Sequence, residues 1–312
     1  MSRRVIFLGT PQFAVPCLAA LLQAGDEVVQ VVTQPDRPKG REQQLAPSPV
    51  KEFALLRGLS VFQPERARRP EAVEHLRALR PDLMVVVGYG QILPQSIIDI
   101  APLGIINVHA SLLPKLRGAA PIQWAIANGD GFTGVTTMQI DSGLDTGDIL
   151  LRAETPILPD DDAVSLGERL SHLGADLLIE TIARLAEIVP LKQNAAEATL
   201  APILKKEDGL IDWNRTAGQI ENQIRGLVPW PGAHTKFRGH LLHIWKAQAA
   251  LESHDLMPGT LTRGTAPHIA CGGGTVLRAL QVQAEGRKRV SGEAFMNGIH
   301  LHDNEVLGAI HH

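Results

Sequence analysis

Short apolar runs separated by helix-like stretches constrain the first half of this 312-residue chain more than any other feature. Residues 5–8 read Val-Ile-Phe-Leu, 28–32 read Val-Val-Gln-Val-Val and 83–87 read Leu-Met-Val-Val-Val, while 61–62 (Val-Phe) and 105–109 (Ile-Ile-Asn-Val-His) continue the series. Strands buried on both faces have this texture, because neither side of the pleat meets water. Between them Phe13, Ala14, Cys17, Leu18, Leu21 and Leu22 recur at helical spacing up to Gly25, and 50–56 and 71–79 also read as helices. Such β-α alternation predicts an α/β fold with a mostly parallel, doubly wound sheet.

The length predicts two domains. A long helix is expected over about 162–188, with Asp160, Asp161 and Asp162 complementing its N-terminal dipole and Pro190 ending it. The mixed, polar stretch 191–208 reads as a linker, so the expected division is 1–190, a linker over 191–208, and 209–312. Beyond 209 the texture changes. Residues 233–237, a turn at Arg238-Gly239 and 241–247 read as a hairpin, followed by short strands at 259–262, 269–271 and 275–282, the pattern of a small, open β-barrel.

The composition narrows the class. Apolar residues make up 44% of the chain, enough for two cores, yet no run approaches the roughly 18 residues of a membrane span. The apolar stretch after Arg3-Arg4 is too short for a signal peptide and reads as a first strand. Cys17 and Cys271 lie too far apart for a metal or redox motif, and fit a reduced, cytoplasmic setting. Residues 201–312 hold 12 Lys and Arg against 10 Asp and Glu, whereas residues 1–200 hold 18 against 23. That asymmetry permits contact between the later segment and a polyanion without demanding it. No G-x-G-x-x-G follows the first strand, and no Walker A, G-x-S-x-G or H-E-x-x-H motif is present.

Chemistry concentrates at Asn107-Val108-His109-Ala110-Ser111-Leu112-Leu113-Pro114. On a strand, Asn107 and His109 share a face. In a parallel α/β sheet the carboxyl end of that strand is where ligands bind. The loop Asp141-Ser142-Gly143-Leu144-Asp145-Thr146-Gly147-Asp148 adds carboxylates. An amide donor, an imidazole and a carboxylate suit acyl transfer: a carbonyl polariser, a proton carrier and a group that orients it. Taken singly, an Asn-x-His pair is ordinarily hydrogen-bonded structure and an Asp- and Gly-rich loop is a turn. A His–Asp metal pair lacks a third ligand.

Several motifs in order resemble the methionyl-tRNA formyltransferases, over nearly the whole chain. They are Gly9-Thr10-Pro11-Gln12-Phe13-Ala14-Val15-Pro16, Thr33-Gln34-Pro35-Asp36-Arg37-Pro38, the segment 107–114 with Arg117-Gly118-Ala119-Ala120-Pro121-Ile122-Gln123, and Gly143-Leu144-Asp145-Thr146-Gly147-Asp148. Later ones are Lys206-Glu207-Asp208, Ile211-Asp212-Trp213, Ile224-Arg225 and Pro229-Trp230-Pro231. The resemblance implies a Rossmann-like catalytic domain, a C-terminal OB-type β-barrel, and formyl transfer from 10-formyltetrahydrofolate to the α-amino group of methionyl initiator tRNA. It matches Asn107, His109 and Asp145 to the catalytic triad. Asn107 and His109 would stabilise the formyl oxyanion, and Asp145 would assist proton transfer. Ser111, Leu112, Leu113 and Pro114 match a folate-contacting segment, with Gly88, Tyr89, Gly90, Gln91, Ile92 and Leu93 lining the same pocket. The loop 35–49 matches a tRNA-reading insertion carrying Arg37, Lys39 and Arg41, although Glu42-Gln43-Gln44 stand where the family often has a glycine and lysines. Lys205, Lys206, Arg287, Lys288 and Arg289 would touch the tRNA backbone. No metal, membrane or obligate protein partner is implied.

Two rival readings remain. The same catalytic domain serves formyltransferases acting on an amino sugar or small amine, or enzymes that hydrolyse formyl-folate. A catalytically inert nucleic-acid-binding module is the rival of another class, and the co-occurrence of Asn107, His109 and Asp145 argues against it. The missing glycine fingerprint argues against a nicotinamide oxidoreductase.

Overall fold

A computed structural model describes residues 2–39, 44–262, 264–301 and 305–308. The chain divides into two compact units. The first holds the described residues up to Pro121, with Phe132–Pro156 and Gly167–Ala201; the second holds Ile122–Gly131, Ile157–Leu166 and the described residues from Pro202.

In the first unit, β1 (Arg4–Gly9), α1 (Val15–Gln23), β2 (Glu27–Val32), α2 (Pro49–Leu56), β3 (Val61–Phe62), α3 (Pro70–Ala78), β4 (Leu83–Val87) and β5 (Ile105–His109) follow the alternation read from the sequence. Two eight-residue strands, β6 (Phe132–Gln139) and β7 (Ile149–Pro156), complete a seven-stranded sheet of order β7-β6-β5-β4-β1-β2-β3. The five strands from β5 to β3 are parallel; β6 and β7 run antiparallel at one edge. Ile6, Leu8, Met84 and Val86 share one core with Leu76 and Ile97, while Val5, Phe7, Val85 and Val87, on the opposite pleats, are also fully buried. Burial of both faces explains the apolar runs.

The strand β6 escapes a hydropathy reading because threonine and glycine dilute it, and β7 because the exposed Arg152 and Glu154 interrupt it. Thr136 and Thr137 are nonetheless fully buried. Their hydroxyls are satisfied: Thr136 Oγ1 donates to the Ser111 carbonyl at 2.7 Å, and the Thr137 and Thr181 hydroxyls lie 2.8 Å apart. The helix α4 (Ala163–Ala183) ends five residues short of the expected 188. Ile182 is the last fully buried residue there; in the following turn, 184–187, only Leu185 is even half-buried, too little apolar contact to hold another helical turn.

The described residues of the second unit from Pro202 onward form a curled antiparallel sheet with helices packed on it. Its elements are α5 (Ala217–Gly226), β8 (His234–Phe237), β9 (His240–Ser253), β10 (Leu261–Thr262), β11 (His268–Ala270), β12 (Thr275–Ala284), β13 (Val290–Ser291) and α6 (Gly292–Asn297), with strand order β8-β9-β12-β11-β10 and β13 on β12. The expected hairpin is present. Arg238 and Gly239 both take positive φ, 51° and 81°, as a two-residue turn matched to strand twist requires. Its second strand runs on to Ser253, and register shifts after Ile244, Lys246 and Ala250 bend it. Ile220 and Ile224 of α5 pack with Leu242, Ile244, Leu277 and Val282. Thr216 and Gln219 close a capping box at the start of α5.

No described helix is long and apolar enough to cross a membrane. Cys17 and Cys271 are buried free thiols, and burial pushes each up to about 12. Both are therefore expected to resist alkylation in the native protein and to react only on unfolding. Mass spectrometry after iodoacetamide, with and without denaturant, checks this; a rapidly labelled native thiol would contradict the burial.

Candidate active site

The end of β5 places Asn107 and His109 on one face, as its two-residue period demands. Asn107 lies beside Val86 of β4 and opposite Met138 of β6, and His109 lies opposite Thr136. Both side chains are buried, yet Asn107 retains 8% of its surface, and its carboxamide has no hydrogen-bond partner among the described residues.

The imidazole is held at one nitrogen and faces a carboxylate with the other. His109 Nε2 lies 3.0 Å from the Leu116 carbonyl oxygen. A carbonyl only accepts, so Nε2 carries the hydrogen and Nδ1 is the nitrogen left to gain or lose a proton. Nδ1 faces Asp145 Oδ2 at 3.8 Å. Asp145 itself has left-handed backbone (φ 51°), and the Gly118 N–H donates to its Oδ2 at 2.8 Å.

Both anchors belong to one loop, and residues 191–201, read from the sequence as the first part of a linker, hold it. Leu200–Ala201 pairs in parallel with Arg117–Gly118. The Thr199 hydroxyl accepts the Leu116 N–H at 2.9 Å, and its carbonyl accepts the Arg117 N–H at 2.9 Å. Gln193 Nε2 donates to the carbonyls of Asp145 (2.8 Å) and Gly147 (2.7 Å), while its Oε1 accepts from Arg117 Nε (3.0 Å) and Nη2 (2.7 Å). Sequence reasoning assigned no role to Leu116, Gly118, Thr136, Gln193 or Thr199. The Arg117-Gly118 motif was a partial signal; Gln193 and Thr199 lie in a stretch with no period to mark them.

The other expected pocket residues also lie in the first unit. Ser111, Leu113 and Pro114 are buried and Leu112 is half-buried. Thr136 holds this segment, accepting the Leu113 N–H at 3.1 Å while donating to Ser111. Ser111 Oγ donates to the Lys115 carbonyl at 2.6 Å, so its hydroxyl is engaged within the loop. Gly88 and Gly90 both take positive φ. The Tyr89 ring is in the core, and its carbonyl accepts from Thr10 and Gln34. Gln91 braces Gln34, Pro64, Glu65 and Ala67; Leu93 is buried, and Ile92 is exposed. The Tyr89 ring and the Gln91 carboxamide are thus engaged within the protein.

The basic residues fall into two groups. Arg37 and Lys39 lie on a short hairpin, Arg37–Lys39 with Gln44–Ala46, whose base is tied by Lys51 to Asp36 (2.6 Å). The side-chain hydrogen bonds from Lys51 and then Gln63 hold the Asp36 carboxyl below its ordinary value. Arg41, Glu42 and Gln43 lie outside the described residues, as do His311 and His312. In the second unit Lys205 and Lys206 are exposed, and Arg287, Lys288 and Arg289 form the exposed tip between β12 and β13. The Arg289 guanidinium lies 4.1 Å over the Trp245 ring, which stacks on His243 with centroids 5.1 Å apart. Burial, and then the charges of His234, Lys206 and Arg289, lower the His243 pKa, so Lys206 and Arg289 add to one positive field. Among the described residues no group of three or more His, Cys, Asp or Glu is placed to hold a metal ion.

Comparison with known proteins gives the family of the chain. The sequence profile of the Formyl transferase family matches residues 3–182, and that of the Formyl transferase, C-terminal domain, matches residues 203–300. The methionyl-tRNA formyltransferase of Solibacter usitatus (strain Ellin6076) is 58% identical over 310 residues, covering 99% of both chains. That of Koribacter versatilis (strain Ellin345) is 54% identical over 310 residues, 98% of this chain and 99% of the other. Among solved structures, WlaRD, a sugar 3N-formyl transferase crystallised with dTDP and 5-N-formyl-THF, superposes with a TM-score of 0.68 over 92% of this chain and 100% of that one. At 20% identity it bears on the fold alone. The chain belongs to the methionyl-tRNA formyltransferase family.

Proposed function

We propose that the chain transfers the formyl group of 10-formyltetrahydrofolate to the α-amino group of methionyl initiator tRNA, and that Asn107, His109 and Asp145 carry the step. The neutral amine attacks the formyl carbon, the bond from that carbon to N10 of the folate breaks, and one proton passes from the amine to N10. Charge develops on the formyl oxygen meanwhile. The Asn107 carboxamide, with no partner among the described residues, is the donor free to meet it. His109 adds to this through Nδ1–H, since its Nε2–H is held by Leu116. The Asp145 carboxylate beside Nδ1 accepts and relays the proton. The observation that carries this reading is an unpartnered carboxamide next to an imidazole whose one free nitrogen faces a carboxylate.

The folate would lie along residues 111–114 and 88–93, where glycine backbone lets the ring approach closely. The tRNA would meet Arg37, Lys39 and Arg41 of the first unit, and Lys205, Lys206, Arg287, Lys288 and Arg289 of the second. We assign the curled sheet of the second unit to the OB type, and a cytoplasmic setting belongs to the same proposal. The identity of 58% over essentially the whole length of a methionyl-tRNA formyltransferase supports tRNA over an amino sugar as acceptor.

The test is incubation with 10-formyltetrahydrofolate and charged initiator tRNA, scored for formyl-methionine, beside an amino-sugar nucleotide and a small amine. Formylation of the sugar with none of the tRNA would overturn the assignment. Counterion release further predicts that tRNA affinity falls with salt much more steeply than folate affinity. Equal slopes in parallel titrations would remove the basic residues from the acceptor site.

A further inference from the structure

We infer that Gln193 is a positioning residue for the formyl-transfer step, setting Asp145 against His109 by clamping two loops together. The inference rests on the assignment of Asp145 above. Gln193 lies between the two segments that the family profiles match, 3–182 and 203–300, and outside every motif read from the sequence.

The clamp has two arms. The amide nitrogen reaches one loop, donating to the carbonyls of Asp145 and Gly147 at 2.8 and 2.7 Å. The amide oxygen reaches the other, chelated by Arg117 Nε and Nη2 at 3.0 and 2.7 Å. Each loop supplies one face of the imidazole–carboxylate pair. The 116–118 loop holds His109 Nε2 through the Leu116 carbonyl and Asp145 Oδ2 through the Gly118 N–H, and the Asp145–Gly147 loop supplies the carboxylate. Asp145 sits in a left-handed conformation, which Asp enters more readily than most non-glycine residues but at a cost that contacts to its backbone offset. Gln193 supplies such a contact, since its amide binds the carbonyl of this same residue.

Glutamine is the side chain this geometry needs. A carboxylate of the same length would pair with Arg117 but would set negative oxygens against two carbonyl oxygens. An apolar residue would leave both carbonyls and the guanidinium without these partners. Because Gln193 touches neither substrate in this reading, its loss would misplace the carboxylate rather than remove a reacting group.

The test uses the full-length enzyme with Gln193→Leu, which removes all four hydrogen bonds, and Gln193→Glu, which keeps the Arg117 arm. Both are expected to lower kcat on the order of 10²-fold, the size of loss that a misplacement of about 1 Å produces. The KM for the folate should stay within about twofold of the parent, since a merely structural weakening would not separate the two constants. The ion pair to Arg117 should keep Gln193→Glu folded if Gln193→Leu is not. Parental kcat in Gln193→Leu would overturn the inference. So would parental kcat in Gln193→Glu, by showing that the donor arm does nothing. Asp145→Asn, assayed alongside, separates the two levels. If it retains full activity the assignment of Asp145 fails; if it is inactive while both Gln193 variants turn over normally, only the positioning role fails.

Discussion

Asn107→Ala is expected to lower kcat about 10²- to 10³-fold, with the protein folded and folate binding nearly unchanged. Losing one oxyanion donor removes about 2.7–4 kcal/mol of transition-state stabilisation. The structure explains why stability should be spared. The carboxamide has no hydrogen-bond partner among the described residues, so its removal orphans no described donor or acceptor. The surrounding strand is held by its ladder to β4 and β6 and by the buried Ile105, Ile106 and Val108. Asn107→Asp, which keeps the volume but puts an anion where negative charge must develop, should be at least as damaged. Steady-state kinetics with a melting curve for each variant checks this, and near-parental turnover in Asn107→Ala would remove the residue from the chemistry.

Gly118→Ala should damage both stability and activity. Gly118 has φ 122°, a conformation that side chains rarely adopt, and an added Cβ would run into the backbone carbonyl of Ala201. Strain of this kind costs about 1–3 kcal/mol, so the melting temperature should fall by on the order of 5 °C. Relief requires Arg117–Gly118 to part from Leu200–Ala201, which moves the N–H that holds Asp145. Turnover should therefore drop on the order of 10²-fold, more than stability alone dictates at a temperature where the variant is folded. Gly131→Ala is the control: its Cβ meets open space and the substitution should be silent. An active, normally stable Gly118→Ala would show that the site does not depend on this backbone approach.

The parallel half of the first unit was legible because burial on both faces leaves a compositional mark. The runs at 5–8, 28–32 and 83–87 lie within β1, β2 and β4, and the two-residue period alone put Asn107 and His109 on one face. The antiparallel edge was not legible. Thr136 and Thr137 look polar, and only partners on other elements, Ser111 and Thr181, make their burial favourable. The expected helix end at 188 failed for the converse reason. Local signals allow the helix to continue to Pro190, but full apolar burial stops at Ile182 and Leu185 and Ile188 are only half-buried.

The sequence by itself determined the parallel strands of the first unit, the hairpin at Arg238-Gly239 and the membership of Asn107 and His109 in one face. All of these are local: period, burial and turn chemistry act within a few residues. Only the tertiary structure decided that Asp145 faces His109 Nδ1 from 36 positions away, that Leu116 fixes the tautomer, and that residues 191–201 brace the site. Those facts depend on which backbone carbonyls and N–H groups are left unpaired once the loops pack, and on a side chain, Gln193, that satisfies two loops at once. A single sequence carries no periodic trace of such pairings, because hydrogen-bond closure between distant loops is settled by geometry that exists only after the sheet has formed.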